Sequence, residues 1–393
     1  MSVEARPFNV ACNLSCTYCY QEPQRQAGNV VTAYNFRAMK RRLLEIGQPF
    51  ALFGGEATLL PIAELERFLS LSHRRFRTSS IQTNGTALSS EHIALFKKYN
   101  TSVGISLDGP GELNDPRWAG TLERTRALTE ASNTILRRML EEGLSSGLIF
   151  TLHRANASPA RLPRLVDWLR ELRECGLKFA RAHLLEVESD EMRRELALTT
   201  DENVSALRAL AELRETGLDL DLFSDMRQLL LGRDQRVACT WSSCDPYSTA
   251  AVMGVEAEGE LSNCGRASKN GIDYLKSRVA GYERQLALYA TPQSAGGCAE
   301  CRFFLMCKGQ CPGTAINGDW RNRSEHCEVY KVIFEDLEVE LVQNGDEPIS
   351  LNVQVRQFLE EQMLRLWSQG RNTSLQALIE RTLQSTLAEA DDE

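Results

Sequence analysis

The sequence predicts an α/β fold: an open, partial barrel of six strand–helix units, then a cysteine-rich segment and a helical tail. Three observations carry this. Over residues 1–215, short β-rich runs alternate with amphipathic stretches of helical length, the pattern of a parallel sheet with right-handed crossovers. Six units are too few for a closed eight-unit barrel. From Cys239 to Cys327 the apolar periodicity fades and eight of the chain's 12 cysteines appear, and beyond Cys327 a helical period returns.

Taken in order, the expected strands are Phe8–Ala11, Phe50–Phe53, Ser79–Thr83, Ser102–Leu107, Gly147–Leu152 and Lys178–Leu185. Amphipathic stretches lie between them at Ala33–Ile46, Ile62–Leu71, Ser90–Tyr99, Leu122–Glu142 and Pro159–Cys175, with a sixth from about Asp201 to Glu215. Pro159 behind Ser158 suits the first helical position, and Gly176 after Cys175 suits a helix stop. The tail reads as helices Glu328–Val342, Leu351–Trp367 and Ser374–Leu387. The expected domains are 1–225, 226–330 and 331–393. A segment as poor in repeating apolar faces as 226–330 needs a staple, and metal is the obvious one.

The 393 residues hold 45 Lys and Arg against 53 Asp and Glu, a formal charge of −8. With no long basic run, neither nucleic acid nor an anionic membrane is expected as a partner. Mean hydropathy is −0.31, and the apolar runs fall short of the ~18–20 residues that span a bilayer. The start, MSVEARPFNVACN, has no apolar signal core. A cytoplasmic location is expected, where clustered cysteines mean metal or catalysis rather than disulfides.

Cys12, Cys16 and Cys19 form Cys-x3-Cys-x2-Cys directly after the first expected strand. Taken alone, three close thiols divide evenly between a zinc site, which usually wants four ligands, and an iron–sulfur site. Their neighbours break the tie. Tyr18 stands inside the cysteine run, Gly54-Gly55-Glu56 follows the second strand, Gln82-Thr83-Asn84-Gly85 ends the third and Ser106-Leu107-Asp108-Gly109-Pro110 ends the fourth. Each is weak alone, since such short strings are usually turns. Together, at successive strand ends, they resemble the radical S-adenosylmethionine (SAM) superfamily.

The resemblance implies a partial (β/α)6 TIM-type barrel. Cys12, Cys16 and Cys19 would hold a [4Fe–4S] cluster whose open iron is chelated by SAM. Gly54, Gly55 and Glu56 would take the SAM amino group, with Thr83, Asn84, Ser106 and Asp108 lining the site. Arg117, one place before the position that relatives use, is the candidate for the SAM carboxylate. The chemistry implied is reductive cleavage of SAM to a 5′-deoxyadenosyl radical that takes a hydrogen atom from substrate.

The later cysteines run Cys239-x4-Cys244, Gly259-x4-Cys264, Cys298-x2-Cys301-x5-Cys307-x3-Cys311, then Cys327. This resembles the SPASM domain, which implies two auxiliary [4Fe–4S] clusters. Cys239, Cys244, Cys264 and Cys311 would ligate the first, and Cys298, Cys301, Cys307 and Cys327 the second. Three clusters then use every cysteine but Cys175, which reads as a core residue at a helix end. A zinc ribbon on Cys298 and Cys301 would leave the other six unexplained.

Members of this family act largely on peptide and protein side chains. The implied function is radical modification of a residue in a ribosomally made precursor peptide, giving a crosslink or a backbone rearrangement or excision. The alternatives are an anaerobic sulfatase-maturating, formylglycine-forming enzyme and a non-catalytic iron–sulfur carrier. Sulfatase-maturating relatives carry an Asp base after the third cysteine of the first auxiliary set, and here Gly265 follows Cys264. Only eleven residues precede Cys12, so the expectation is either a separate leader-binding protein as partner or a substrate recognised without a leader grip, with flavodoxin or ferredoxin the expected reductant. His183 and Glu186, near the end of the sixth strand, are candidate catalytic groups, with His153 and Glu188 behind them. Tyr247 and Arg266 adjoin auxiliary ligands. Leu359, Met363, Leu364, Leu366 and Trp367 form an apolar face expected to cover the cysteine-rich domain or the barrel.

Overall fold

The computed structural model describes residues 2–245, 252–266 and 281–391; Tyr247 lies outside them. Among the described residues nine strands form one open sheet: β1 (Ser2–Ala5), β2 (Phe50–Leu52), β3 (Ser79–Thr83), β4 (Thr101–Ser106), β5 (Ser146–Leu152), β6 (Phe179–Leu184), β7 (Asp219–Leu220), β8 (Val252–Val255) and β9 (Leu261–Asn263). Their spatial order is β7-β6-β5-β4-β3-β2-β1-β8-β9. Every pairing is parallel except the β8–β9 hairpin. The α/β, partial-barrel expectation holds, and five of the six expected strands lie where the sequence places them.

The first strand is Ser2–Ala5, not Phe8–Ala11. Val3 and Ala5 are buried because β1 is an interior strand, pairing with β2 through Val3↔Phe50 and with β8 through Ser2↔Val252. Residues 8–11 instead turn, with Asn9 at φ 52°. The expected start at Pro159 also moves: that helix is Leu162–Glu174, with Pro163 in its first turn. Ser158 instead closes a short helix, Arg154–Ala157. Gly176 does stop the helix, at φ 113°, with its N–H on the Arg173 carbonyl at 3.0 Å.

The helices follow from their apolar spacing. Ile62–Phe76 buries Leu65, Phe68, Leu69 and Ser72, one face at three- and four-residue intervals. Leu162–Glu174 buries Leu165, Val166, Trp168, Leu169 and Leu172, and the Trp168 indole donates to Asn133 Oδ1 at 2.9 Å.

The chain divides into two compact units, Met1–Asp221 with Val252–Tyr274, and Leu222–Ala251 with Leu275–Glu393. The β8–β9 hairpin therefore returns to the first unit, and Cys264 with it. Arg6 anchors that return. Its buried guanidinium pairs with Glu4 and, at 2.9 Å, with Glu256. In the second unit Trp241 packs against Tyr330 and Phe334 at centroid distances of 5.5 and 5.8 Å. Leu359, Met363 and Trp367 are the buried stripe of helix Val353–Ser368, whereas Leu364 and Leu366 are half-buried. Trp367 meets Tyr282 and Phe304 at 6.4 and 6.0 Å, so the tail covers the cysteine-rich region. No helix among the described residues is long and apolar enough to cross a membrane.

Candidate functional site

The loop carrying Cys12, Cys16 and Cys19 follows β1 and lies against the ends of its neighbours. No disulfide joins any of the 12 cysteines. The loop is held by backbone bonds: Ser15 N–H to the Trp118 carbonyl at 2.7 Å, Thr17 N–H to Pro116 at 2.8 Å and Glu56 N–H to Ala11 at 2.8 Å. The last of these explains the paired glycines. A Cβ on Gly55 would stand 2.1 Å from the Ala11 carbonyl oxygen, and one on Gly54 would stand 2.6 Å from that of Asn9. Gly54 also adopts φ 131°, open to glycine at little cost. The two glycines let the β2 loop run against the backbone that delivers Cys12.

Glu56 is 2% exposed. Its Oε1 accepts from Thr58 N–H (2.9 Å), Thr58 Oγ1 (2.6 Å) and Thr83 Oγ1 (2.6 Å), and its Oε2 accepts from Asn84 N–H at 2.7 Å. One carboxylate thus locks the ends of β2 and β3 together. The Asn84 amide donates to Asn13 Oδ1 at 2.9 Å and reaches Cys12 Sγ at 3.8 Å. Ser106 is buried at the end of β4, accepting from Gln82 at 3.4 Å.

Asp108 is the most connected group here and is fully buried. Arg117 donates to it through Nε and Nη2, each at 2.9 Å. Tyr18 donates its hydroxyl, Thr151 its N–H at 2.9 Å, and His153 Nε2 lies 3.4 Å away. Burial alone would raise the Asp108 carboxyl, but Arg117 and the His153 bond outweigh it and hold it well below the usual carboxylate range. The sequence reading lines the SAM site with Asp108; the structure has both its oxygens occupied by protein donors. His153 serves this carboxylate from a wholly buried position. The pair of motifs Tyr18 and Asp108 was visible in sequence; their bond to each other was not.

His183, on β6, is held well below the ordinary histidine range by burial and then by Arg266 and Arg181. Glu186 is buried, and Arg266 Nε approaches its Oε1 at 3.6 Å. Arg266 also lies over the Tyr20 ring at 5.7 Å. The segment that follows β9 and carries Cys264 thus brings a cation to Glu186, a contact that no sequence signal announces. Glu188 is half-buried.

In the second unit, Cys298, Cys301, Cys307 and Cys327 line one small cavity, closed by Phe303, Phe304 and Phe334 among others. Among the described residues no three His, Cys, Asp or Glu side chains converge closely enough for a single metal ion; what these four share is the cavity. Burial, then Cys327, Cys298 and Cys301, raise the Cys307 thiol well above its ordinary value. Cys298 is pushed up to about 12, by burial first and then by Cys327 and Cys301. In the first unit Cys16 is likewise pushed up to about 12 by burial, with Cys19 and Cys12 adding to it against Arg117. Thiols that raise one another's proton affinity suit a group that takes them all as thiolates, and iron–sulfur clusters are of that kind. Of the other expected ligands, Cys264 belongs to the first unit and Cys239, Cys244 and Cys311 to the second. Cys175 is half-buried rather than core, with Arg137 Nη1 3.6 Å from its sulfur.

Residues 7–157, which hold the cysteine loop, Glu56, Asn84, Asp108 and Arg117, match the radical SAM superfamily. That stretch of the chain is similar to radical SAM domains. Its sequence is similar to the cysteine-type anaerobic sulfatase-maturating enzyme of Clostridium novyi, 34% identical over 132 residues, which is 29% of this chain and 34% of that protein. The match thus spans about a third of that relative's length. In three dimensions the fold beyond the radical SAM domain has counterparts too. Native anSMEcpe with bound AdoMet and the Cp18Cys peptide aligns at a TM-score of 0.59 and 17% identity, covering 90% of this chain and 100% of that one. SuiB of Streptococcus suis bound to the precursor peptide SuiA aligns at 0.54 and 14%, covering 83% and 75%.

Proposed function

We propose that the protein is a radical SAM maturase that abstracts a hydrogen atom from a residue of a ribosomally made precursor peptide, producing a crosslink or a backbone rearrangement or excision. The observation that carries this reading is the seating of the Cys12–Cys19 loop on the Gly55–Glu56 backbone, inside the stretch that matches the radical SAM superfamily. The peptide-bound folds it resembles support a peptide substrate.

In this reading Cys12, Cys16 and Cys19 hold the SAM-binding cluster. A cluster held there would supply the electron for reductive cleavage of SAM. Glu56, fixed by Thr58, Thr83 and Asn84, would take the SAM amino group together with Gly54 and Gly55. Arg117 takes the SAM carboxylate, its guanidinium oriented by Asp108 through two parallel bonds. Thr83, Asn84 and Ser106 line the site. His183, whose proton affinity burial, Arg266 and Arg181 lower, is one candidate catalytic group, and Glu186 beside Arg266 is the second. Cys298, Cys301, Cys307 and Cys327 hold one auxiliary cluster, and Cys239, Cys244, Cys264 and Cys311 the other. A flavodoxin or ferredoxin supplies electrons.

The direct test is anaerobic reconstitution with iron and sulfide, then dithionite, SAM and candidate precursor peptides, followed by mass spectrometry. 5′-Deoxyadenosine together with a peptide mass change supports the reading. Neither appearing, with all clusters present and across peptides, would leave the carrier alternative. A second reading, sulfatase maturation, is favoured by the similarity to the Clostridium novyi enzyme. Formylglycine in a co-expressed sulfatase would establish it.

A further inference from the structure

The second unit buries a guanidinium among its cysteines. Arg284, in helix Glu283–Ala290, is 1% exposed. Its Nε donates to the Trp320 carbonyl at 2.6 Å, its Nη1 to the Cys244 carbonyl at 3.3 Å, and its Nη2 to the carbonyls of Asn322 and Gly309 at 3.0 and 3.4 Å. Among the described residues all its hydrogen bonds end on backbone carbonyls. The neighbouring Gln285 amide donates to the same Cys244 carbonyl at 3.2 Å.

Carbonyl dipoles offset part of the desolvation of a buried cation but carry no net charge, so the site is costly unless anions stand close by. Burial lowers the Arg284 guanidinium from its ordinary value, against Cys244, Cys311, Cys298 and Asp245, which raise it. Cys244 and Cys311 belong to one expected ligand set and Cys298 to the other. The carbonyls it binds come from the segment after Cys239, the turn between Cys307 and Cys311, and the loop before Cys327. Lys308, another buried cation of this region, has a carboxylate partner, Asp234, at 3.5 Å.

We infer that Arg284 is a positioning and charge-compensating residue for both auxiliary clusters, tying their ligand loops together and raising their reduction potentials. This rests on the auxiliary-cluster reading above. Thiolate-ligated clusters are anionic and become more so on reduction, so a fixed buried cation favours the added electron. Their charge also adds to the counter-charge of Asp245, which the carbonyls cannot supply.

The test is a potentiometric titration of the reconstituted full-length protein followed by electron paramagnetic resonance, for wild type, Arg284→Gln and Arg284→Lys. Wild type should load about twelve irons, three clusters of four; about four would remove the auxiliary reading and this inference with it. In fully loaded Arg284→Gln the auxiliary midpoints should shift negative, with Arg284→Lys between it and wild type. Full loading of Arg284→Gln with unshifted midpoints would overturn the inference while leaving the clusters in place. If Arg284→Gln does not load, the Lys variant decides: loading with a near-wild-type midpoint supports the charge role, and failure to load overturns it in favour of packing alone.

Discussion

Asp108 and Arg117 form a two-bond ion pair, both contacts at 2.9 Å, with the carboxylate fully buried and the Arg117 side chain 11% exposed. Removing one member of such a pair leaves the other as an uncompensated buried charge. Asp108→Ala should therefore destabilise the protein by about 3–5 kcal/mol and weaken SAM binding, as Arg117 and Tyr18 lose their common acceptor. Denaturant unfolding and equilibrium binding of SAM would measure the two effects. The Asp108 contribution should be fully present above about pH 4 and decline only below it, because its native carboxyl titrates beneath the unfolded value.

Gly55→Ala tests the seating of the cysteine loop. Its added methyl would meet the carbonyls of Ala11 and Val10 at 2.1 and 2.4 Å, so the segment leading to Cys12 must move. The expected outcome is loss of about four irons of twelve and of SAM cleavage, read by iron analysis and 5′-deoxyadenosine yield. Full iron with normal cleavage would show that the contact does not control the loop.

Replacing Cys12, Cys16 and Cys19 together by Ala should abolish SAM cleavage while leaving about eight irons. Cys307→Ala, in the cavity of the second unit, should instead remove about four. Loss of all iron from the triple variant would contradict the division of ligands.

His183 gives a pH signature. Its native value lies well below that of an exposed histidine, so as pH falls through about 6.5 the unfolded chain takes up a proton that the native state does not. Stability is lost as pH falls, and His183→Gln should lose less than wild type between about pH 7.5 and 5.5. Parallel stability curves for the two proteins would show that His183 titrates normally.

Trp367→Ala should destabilise the second unit by about 3–5 kcal/mol, since the indole is buried against Tyr282 and Phe304 and donates to Asn372 Oδ1 at 3.0 Å. The shift in urea midpoint measures it.

Much of the protein is determined by local sequence. Five of the six expected strands and the interior helices follow from apolar period and turn residues, because strands buried on both faces and helices buried on one leave their pattern on neighbouring residues. The spacing of Cys12, Cys16 and Cys19 and the Gly-Gly-Glu run are likewise contiguous signals. What the tertiary structure decided is who meets whom. Ser2–Ala5 becomes a strand only because β2 and β8 flank it, and β8 comes from some 250 residues away. Asp108 is a hub because Tyr18, Arg117, Thr151 and His153, scattered over more than a hundred residues, close on one carboxylate. Arg284 looks in sequence like any helical arginine; its burial follows from the carbonyls of distant loops. Periodicity records which face of an element is buried, whereas the partners of a buried charge are set by chain crossings that no local pattern encodes.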